Sequence, residues 1–403
     1  MSARAESGPR SAWRVLRSRQ FGPYFVGNAA SASGTWFQNL AASILIFRLT
    51  HSAFMLGVLN FCQFIPVVLL APWAGAAADR FDRRKLLICT QLGAAFVSAS
   101  LSLLAWQGEA KVWVVIAISG ALGILGAFSS PAQTSMVGSL VEREELPQAV
   151  ALNSMTFNLA RAVGPASAAG VIALWGIAPA FAVNACSFLL LAGTLTIIRP
   201  REQKRARRTS MRDSFRLIRE NPTLGWYLLI TATVSFSSDP VNTESPAFAH
   251  AFHYSEAWSG AVVGAFGAGA VSAAFLVAGR VSGSRARMAA TLCVLGAGMA
   301  LFAVSPWLPL ALCFAAVAGF GYLSSNTSST SRLQLAVAEH ERGRIMALWS
   351  VAFFGIRPIA SLIDGGLAAS FGVRVAAIAM SVPALVGAAL AATSFHRRRR
   401  AVV

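Results

Sequence analysis

Five charged side chains lie inside long apolar stretches of this 403-residue sequence: Arg161, Arg357, Asp239, Glu244 and Asp364. At the centre of a bilayer an arginine costs about 2.5–3.5 kcal/mol on insertion scales, so each one must be paired or hydrated. A buried carboxyl group beside an arginine can be switched between its charged and neutral forms. These residue types therefore indicate a group that binds and releases a proton.

Asp239 is the first choice for that group, because Pro240 follows it and predicts a helix break at this point. Glu244 is predicted nearer the outer face, where water can solvate it. Asp364 follows Arg357 by seven residues, on the same helix face but about two turns away. A structural network that joins helix to helix explains the two arginines equally well.

Polar side chains fall into four bands within the apolar stretches, in the first, fourth, seventh and tenth of them. Burial in lipid would penalise these groups, so they should face each other or water. The spacing by three predicts a shared cavity, although small polar residues also mediate helix packing. The predicted lining residues are Gln38, Asn39, Trp36, Gln133, Asn242 and Asn326.

The composition indicates a membrane protein with many spans. It is 56% hydrophobic and 12% charged, whereas a soluble domain carries about 25% charged residues. The sequence shows no cluster of a nucleophile, a base and oxyanion donors that would indicate an enzyme. The five cysteines do not have the spacing of metal ligands. The predicted spans lie near 21–47, 54–78, 86–107, 112–138, 148–174, 177–198, 223–249, 257–281, 288–304, 307–334, 345–368 and 372–394.

The net charge of +18 is explained by topology. Of the 34 lysines and arginines, 29 lie in the two tails and in alternate connections, and 3 lie on the opposite side. The positive-inside rule then places both termini in the cytoplasm of a multi-pass cell (inner) membrane protein. Contact with anionic lipid headgroups accounts for the basic segments, so no nucleic-acid partner is needed.

A repeat divides the chain into two halves. Segments 151–176 and 347–372 are 196 positions apart and share eight identities in 26 positions, Arg161 and Arg357 among them. Many secondary transporters are built from such duplicated halves, with the binding site between them. The sequence predicts an N-terminal bundle at 1–198, a basic linker at 199–222 and a C-terminal bundle at 223–403. Residues 211–220 of that linker fit either an amphipathic helix on the membrane surface or a plain tether.

The connection after the second span carries a recognisable motif. Gly75, Asp79 and Arg80 precede a basic cluster that includes Arg83 and Arg84. This loop resembles the signature loop of the major facilitator superfamily, although Asp82 replaces the usual second glycine and the matching loop at 279–287 lacks the aspartate. The resemblance is closest to the branch of enterobactin-type siderophore exporters and macrolide efflux proteins. Gly164, Pro165 and Gly170 are similar to part of the superfamily's antiporter motif.

The resemblance implies an all-α membrane protein with twelve transmembrane helices in two six-helix pseudo-symmetric bundles. It also implies that the loop holds the cytoplasmic side closed, with Arg80, Arg83 and Arg84 pairing with acids such as Glu142, Glu144 or Glu145. We expect a monomeric, proton-coupled exporter of small amphipathic organic molecules, with no cofactor, no metal and no catalytic residue. The alternatives are uptake, lysophospholipid translocation, and a membrane sensor or assembly partner that does not transport.

Overall fold

The computed structural model describes residues 9–142, 144–201, 211–277, 285–338 and 341–400. Their regular elements are helices, with a single 3₁₀ turn at Glu256–Trp258. In chain order the α-helices are α1 (Pro9–Leu16), α2 (Phe21–Thr50), α3 (Ala53–Arg80), α4 (Arg83–Trp106), α5 (Val112–Leu140), α6 (Leu146–Trp175), α7 (Ile177–Ile197), α8 (Met211–Glu220), α9 (Pro222–Ser237), α10 (Asp239–Thr243), α11 (Ser245–Ala251), α12 (Ser259–Val277), α13 (Arg285–Val304), α14 (Leu308–Leu335), α15 (Arg342–Gly355), α16 (Arg357–Phe371) and α17 (Val373–Arg400).

Ten helical stretches in the described ranges are long and apolar enough to cross a membrane. The two predicted spans that are not among them are the first and the seventh. The first corresponds to α2, which has 30 residues but carries one of the polar bands. The seventh is divided among α9, α10 and α11, which have 16, 5 and 7 residues. The polar band of α2 lowers its hydropathy, and the pieces of the seventh span are each too short, so neither is among the ten.

The helices form two compact units. The first unit contains Met1–Ala42 and Pro66–Ala206, and the second contains Ser43–Ile65 and Arg207–Val403. The end of α2 and the beginning of α3 thus pack with the C-terminal helices. The predicted bundles at 1–198 and 223–403 stay a prediction.

One buried cluster in the first unit contains side chains from each of the seven helices α1 to α7. Val15 of α1 is fully buried against it, although its neighbour Trp13 is 63% exposed. Van der Waals packing stabilises such a core in a membrane, where lipid tails are as apolar as the side chains. Its fully buried members include Val15, Phe21, Leu87, Ala132, Ala149, Leu191, Leu195 and Ile198.

Close helix crossings hold the second unit together. α12 packs on α14, and α13 packs on both α14 and α17. A Cβ atom at Gly269 of α12 would overlap the carbonyl of Ala316, and one at Gly319 of α14 would overlap the carbonyl of Phe266. The two glycines therefore let the helix backbones touch from both sides, as small residues do in membrane proteins.

Equivalent turns end the two repeated segments. Gly176 connects α6 to α7, Gly372 connects α16 to α17, and both glycines have a φ of +87°. Their amide groups donate to the carbonyls of Ile172 and Ala368, which close the preceding helices. A positive φ strains residues that carry a Cβ atom, so a one-residue connection of this kind favours glycine. The repeat is thus visible in local geometry as well as in sequence.

The predicted helix at 211–220 is present as α8, while residues 202–210 of the linker lie outside the described residues. Arg216 donates to Glu220 over 2.6 Å within this helix. Leu217 is buried, and Ile218 packs near Gly225 at the start of α9. Its predicted place on the membrane surface stays a prediction. The second-half loop at 279–284 also lies outside the described residues.

Candidate functional site

The three intramembrane acids lie in the second unit, and two of them lie at breaks between helices. α9 ends at Ser237 and α10 begins at Asp239, so the break predicted at Asp239 and Pro240 is confirmed. A second break follows at Glu244, the residue between the end of α10 and the beginning of α11. Discontinuous helices of this type form ion and substrate sites in secondary transporters, because their backbone turns line a protein interior.

A third break positions Arg357. α15 ends at Gly355 and α16 begins at Arg357, with Pro358 in its first turn. The sequence predicts an unbroken span at 345–368, so this break was missed. Pro358 was the available signal, since proline favours the first turn of a helix and disfavours its interior. Asp364 lies two turns further along α16.

The three acids are withdrawn from the surface and from hydrogen-bond donors to different degrees. Asp239 is 3% exposed, while Glu244 and Asp364 are 0% exposed. Asp239 accepts a 2.9 Å hydrogen bond from the hydroxyl of Thr243. Neither carboxyl oxygen of Glu244 or Asp364 has a hydrogen-bond partner within the described part of the chain. Glu244, predicted to be solvated, is instead buried.

The same acids are electrostatic neighbours. α10 packs against α16, the helix that carries Asp364. Glu244 is repelled by the charges of Asp364 and Asp239, and Asp364 is repelled by that of Asp239. Arg357 attracts Asp239. Four of the five charged residues singled out in the sequence are thus linked electrostatically in one cluster.

The beginning of α3 covers this cluster. The Arg357 guanidinium lies 4.7 Å from the ring centre of Phe64, a distance typical of cation–π contact. One residue after Asp364, Gly365 approaches Gly57: a Cβ atom built on Gly365 would stand 3.1 Å from the Gly57 Cα. A Cβ atom on Gly57 would overlap the carbonyl of Ser361. The glycine pair therefore lets α3 close over the helix face beside Asp364.

We expect Gly57→Ala and Gly365→Ala to loosen this cover. Each added methyl group meets backbone atoms, and overpacking typically costs about 1–3 kcal/mol. The melting temperature of the purified protein should fall by several degrees in both variants. Gly366→Ala is the matched control, because a Cβ atom there meets nothing within 4 Å. Equal melting temperatures for all three variants would contradict the contact.

In the first unit, Arg161 is 6% exposed and lies within continuous helix α6. Its guanidinium lies 5.8 Å from the ring centre of Trp36 on α2. A Cβ atom on Gly164 would stand 2.8 Å from the Trp36 Cβ, so this glycine makes room for the same side chain. Pro165 is buried inside α6, whereas Gly170 faces open space. Trp36 thus joins Arg161 to the predicted motif.

Side-chain amides connect the helices of the first unit. Asn28 of α2 donates to Asn153 of α6 over 2.8 Å and accepts from Gln133 of α5. Asn184 of α7 donates to Gln38 over 3.2 Å. The polar bands of α2 and α5 therefore face each other, as predicted. Gln38 is 3% exposed and Asn39 and Gln133 are partly buried; their place on a cavity stays a prediction.

The polar bands of the second unit also face each other. Thr231 of α9 and Ser329 of α14 share a 2.8 Å hydrogen bond, and Ser329 donates to the carbonyl of Tyr227. Asn242 donates to the carbonyl of Ser238 over 2.8 Å. Asn326 is partly buried on α14. An aromatic group that the sequence analysis missed, Trp349 stacked on Phe353, lies beside this band.

The loop between α3 and α4 is held by different contacts from those expected. Asp82 accepts from the amides of Arg84 and Lys85 and so caps α4, which explains why the usual glycine is dispensable. Arg84 donates to the carbonyls of Leu195 and Thr196 at the end of α7. A cation at a helix C-terminus is favourable because the last carbonyls are otherwise unsatisfied.

Two of the three acids proposed as partners of this loop are engaged elsewhere. Glu145 pairs with Arg14 at 3.3 Å and Glu142 with Arg201 at 3.1 Å. Asp79 and Arg80 are exposed, and Asp79 makes no hydrogen bond or ion pair with the described residues. Gly75 has no neighbour within 4 Å of a built Cβ atom. Arg83 is partly buried at the first residue of α4.

These features define an all-helical polytopic membrane protein, and solved membrane transporters share its fold. A bacterial homologue of the human lysosomal transporter Spinster, in an inward-facing and occupied conformation, has a TM-score of 0.76 with 13% identity, covering 97% of this chain and 98% of that one. A bacterial homologue of the iron transporter ferroportin has a TM-score of 0.67 with 16% identity, covering 94% and 98%. At such identities the likeness concerns the fold alone.

The chain belongs to the major facilitator family described as transmembrane secretion effector, whose model matches residues 10–401. It is 25% identical to the enterobactin exporter EntS of Salmonella typhi over 365 residues, which cover 87% of this chain and 86% of EntS. It is 30% identical to the staphyloferrin A transporter of Staphylococcus aureus, over 39% of this chain and 40% of that protein. The match to macrolide efflux protein A of Streptococcus pyogenes, 25% identical, covers 56% of this chain and 58% of that protein. The predicted superfamily is thereby confirmed, and these proteins are transporters rather than enzymes.

Proposed function

We infer that this protein is a proton-coupled secondary exporter of small amphipathic organic molecules. The observation that carries the proposal is the cluster of three buried acids, Asp239, Glu244 and Asp364, with the partly buried Arg357. Charged groups inside a membrane protein are costly and mark ion or substrate pathways. Asp239, Glu244 and Arg357 lie at breaks in α9–α11 and α15–α16, where the backbone can rearrange.

The relatives support the direction and the class of substrate. Proteins with similar sequences are named for the export of enterobactin and for macrolide efflux. Polar bands with aromatic side chains beside them, such as Trp36, suit molecules that carry both polar and apolar faces. Alternating access would expose these bands to either side of the membrane in turn. The same proposal places both termini in the cytoplasm and takes the protein to be a monomer.

Inverted membrane vesicles test the proposal with two probes, radiolabelled erythromycin and enterobactin. An acidic vesicle interior should drive uphill accumulation of at least one probe, and a protonophore should abolish it. Vesicles from the same host without the protein are the control. Accumulation that persists after collapse of the gradient would contradict proton coupling. Failure to move either probe, with the gradient intact and the protein present, would contradict the substrate class.

A further inference from the structure

Three carboxyl groups and one guanidinium group share the interior of the second unit. If all four were ionised, the cluster would carry a net charge of −2 in a region where the acids are at most 3% exposed. Protein interiors tolerate buried charges when they are paired and hydrogen-bonded, and otherwise the group becomes neutral. Two bound protons would make this cluster neutral.

The surroundings of each acid indicate where the two protons lie. Burial opposes ionisation of Asp239 as of the other two acids, but Asp239 alone has contacts that favour the ionised form: Arg357 attracts it and the Thr243 hydroxyl donates to it. Glu244 and Asp364 have neither feature: among the described residues no donor reaches their four oxygens, and each is repelled by Asp239. A fully buried carboxyl group with neither a hydrogen-bond donor nor a cation beside it is more stable in its protonated form.

Other ionisable groups on the packed helices are engaged elsewhere. Tyr227 of α9 accepts from Arg332, and the ring of His250 on α11 lies 5.7 Å from that of Phe47. Arg374 of α17 donates to the carbonyl of Ser305. α12 carries no ionisable side chain. On α15 and on the segment of α3 that belongs to this unit, the ionisable side chains are Cys62, Arg342 and Arg344.

We propose that Glu244 and Asp364 form a two-proton store, with Asp239 as the permanent counter-ion of Arg357. This inference rests on the proposed function, because it names the residues that load and release the coupling protons. It assigns Asp239 a positioning role in place of the proton-carrying role that the sequence suggests. The contact of Gly57 with Gly365 closes α3 over α16 beside Asp364, so the store is shut from water in this conformation.

Infrared spectroscopy of the purified protein in dodecyl maltoside, a detergent without ester carbonyl groups, tests the store without any substrate. Protonated carboxyl groups give a C=O stretching band that ionised carboxylates lack. At neutral pH the wild-type protein should show this band. Glu244→Gln and Asp364→Asn should each remove about half of its intensity, and the double variant should remove all of it. Both replacements are uncharged and close in shape to a protonated acid, so the fold should persist.

Two matched variants complete the experiment. Asp239→Asn combined with Arg357→Gln should retain the band, because it removes a charge pair and leaves the store. Glu256→Gln should also retain it, because Glu256 pairs with Arg48 at 3.5 Å. Absence of the band in the wild-type protein would overturn the inference, whether or not any variant folds. So would full intensity in the double variant Glu244→Gln with Asp364→Asn.

Failure of this inference is distinguishable from failure of the proposed function. The infrared band decides whether the two acids hold protons, and gradient-driven flux in vesicles decides whether protons drive export. Gradient-driven flux without the band would retain the exporter and reject the store. The band in a protein whose flux ignores the gradient would retain the protonated acids and reject both proton coupling and the role of the store in it.

Discussion

Asparagine at position 239 is expected to abolish proton-driven efflux, and glutamine at position 357 in the same protein is expected to restore most of it. Asp239→Asn removes the counter-ion of Arg357. Breaking a fully buried pair costs about 3–5 kcal/mol, and less here because Arg357 is only partly buried. The guanidinium would then favour ionised Asp364 or Glu244, and the store would lose one of the two protons that drive efflux.

The double variant separates two roles of Asp239. If this carboxylate is a counter-ion, removing both charges leaves Glu244 and Asp364 in their neutral surroundings and restores gradient-driven accumulation of the probe. If Asp239 itself carries the proton, the double variant stays inactive. Such a cycle isolates the coupling between two neighbouring residues, provided that neither change introduces a new interaction. Unchanged flux in Asp239→Asn, with the gradient intact, would remove Asp239 from both roles.

The charged groups of the site could be predicted from the sequence, but their grouping could not. Proline after Asp239 predicted the first helix break, and the structure confirms it. The repeat pairs Arg161 with Arg357, which suggests the same local structure for both. Arg161 lies inside a continuous helix, whereas Arg357 begins a new one because Pro358 follows it directly. The position of the proline, rather than of the arginine, determines the difference.

Partners distant in the chain were beyond sequence reasoning. The sequence predicts that Gln38 lines a cavity, yet its side-chain carbonyl oxygen accepts a hydrogen bond from Asn184, 146 positions away. Arg84 is expected to pair with an acid of the next cytoplasmic loop, and only the packing of α4 against α7 reveals that it closes a helix end. A sequence pattern gives the face of a helix on which a residue lies, but not the helix that meets that face.

Alanine at Gly269 or at Gly319 is expected to prevent most of the protein from folding. The added methyl group at either position overlaps a backbone carbonyl of the partner helix, that of Ala316 or of Phe266. A backbone atom cannot move aside as a flexible side chain does, so the cost should reach or exceed the upper end of the usual range for overpacking, about 3 kcal/mol. Alanine favours an isolated helix by about 1 kcal/mol over glycine, which does not compensate.

Fluorescence-detected size-exclusion chromatography measures this loss as a monodisperse peak reduced at least several-fold. Gly126→Ala in α5 and Gly193→Ala in α7 are the matched controls, because a Cβ atom at either position meets nothing within 4 Å. They should keep the wild-type peak and gain slightly in thermal stability from helix propensity. A normal peak for both Gly269→Ala and Gly319→Ala would show that α12 and α14 do not cross as closely as described. The infrared and flux experiments depend on this crossing only through the folding of the second unit, because the acids lie on α10, at its junction with α11, and on α16.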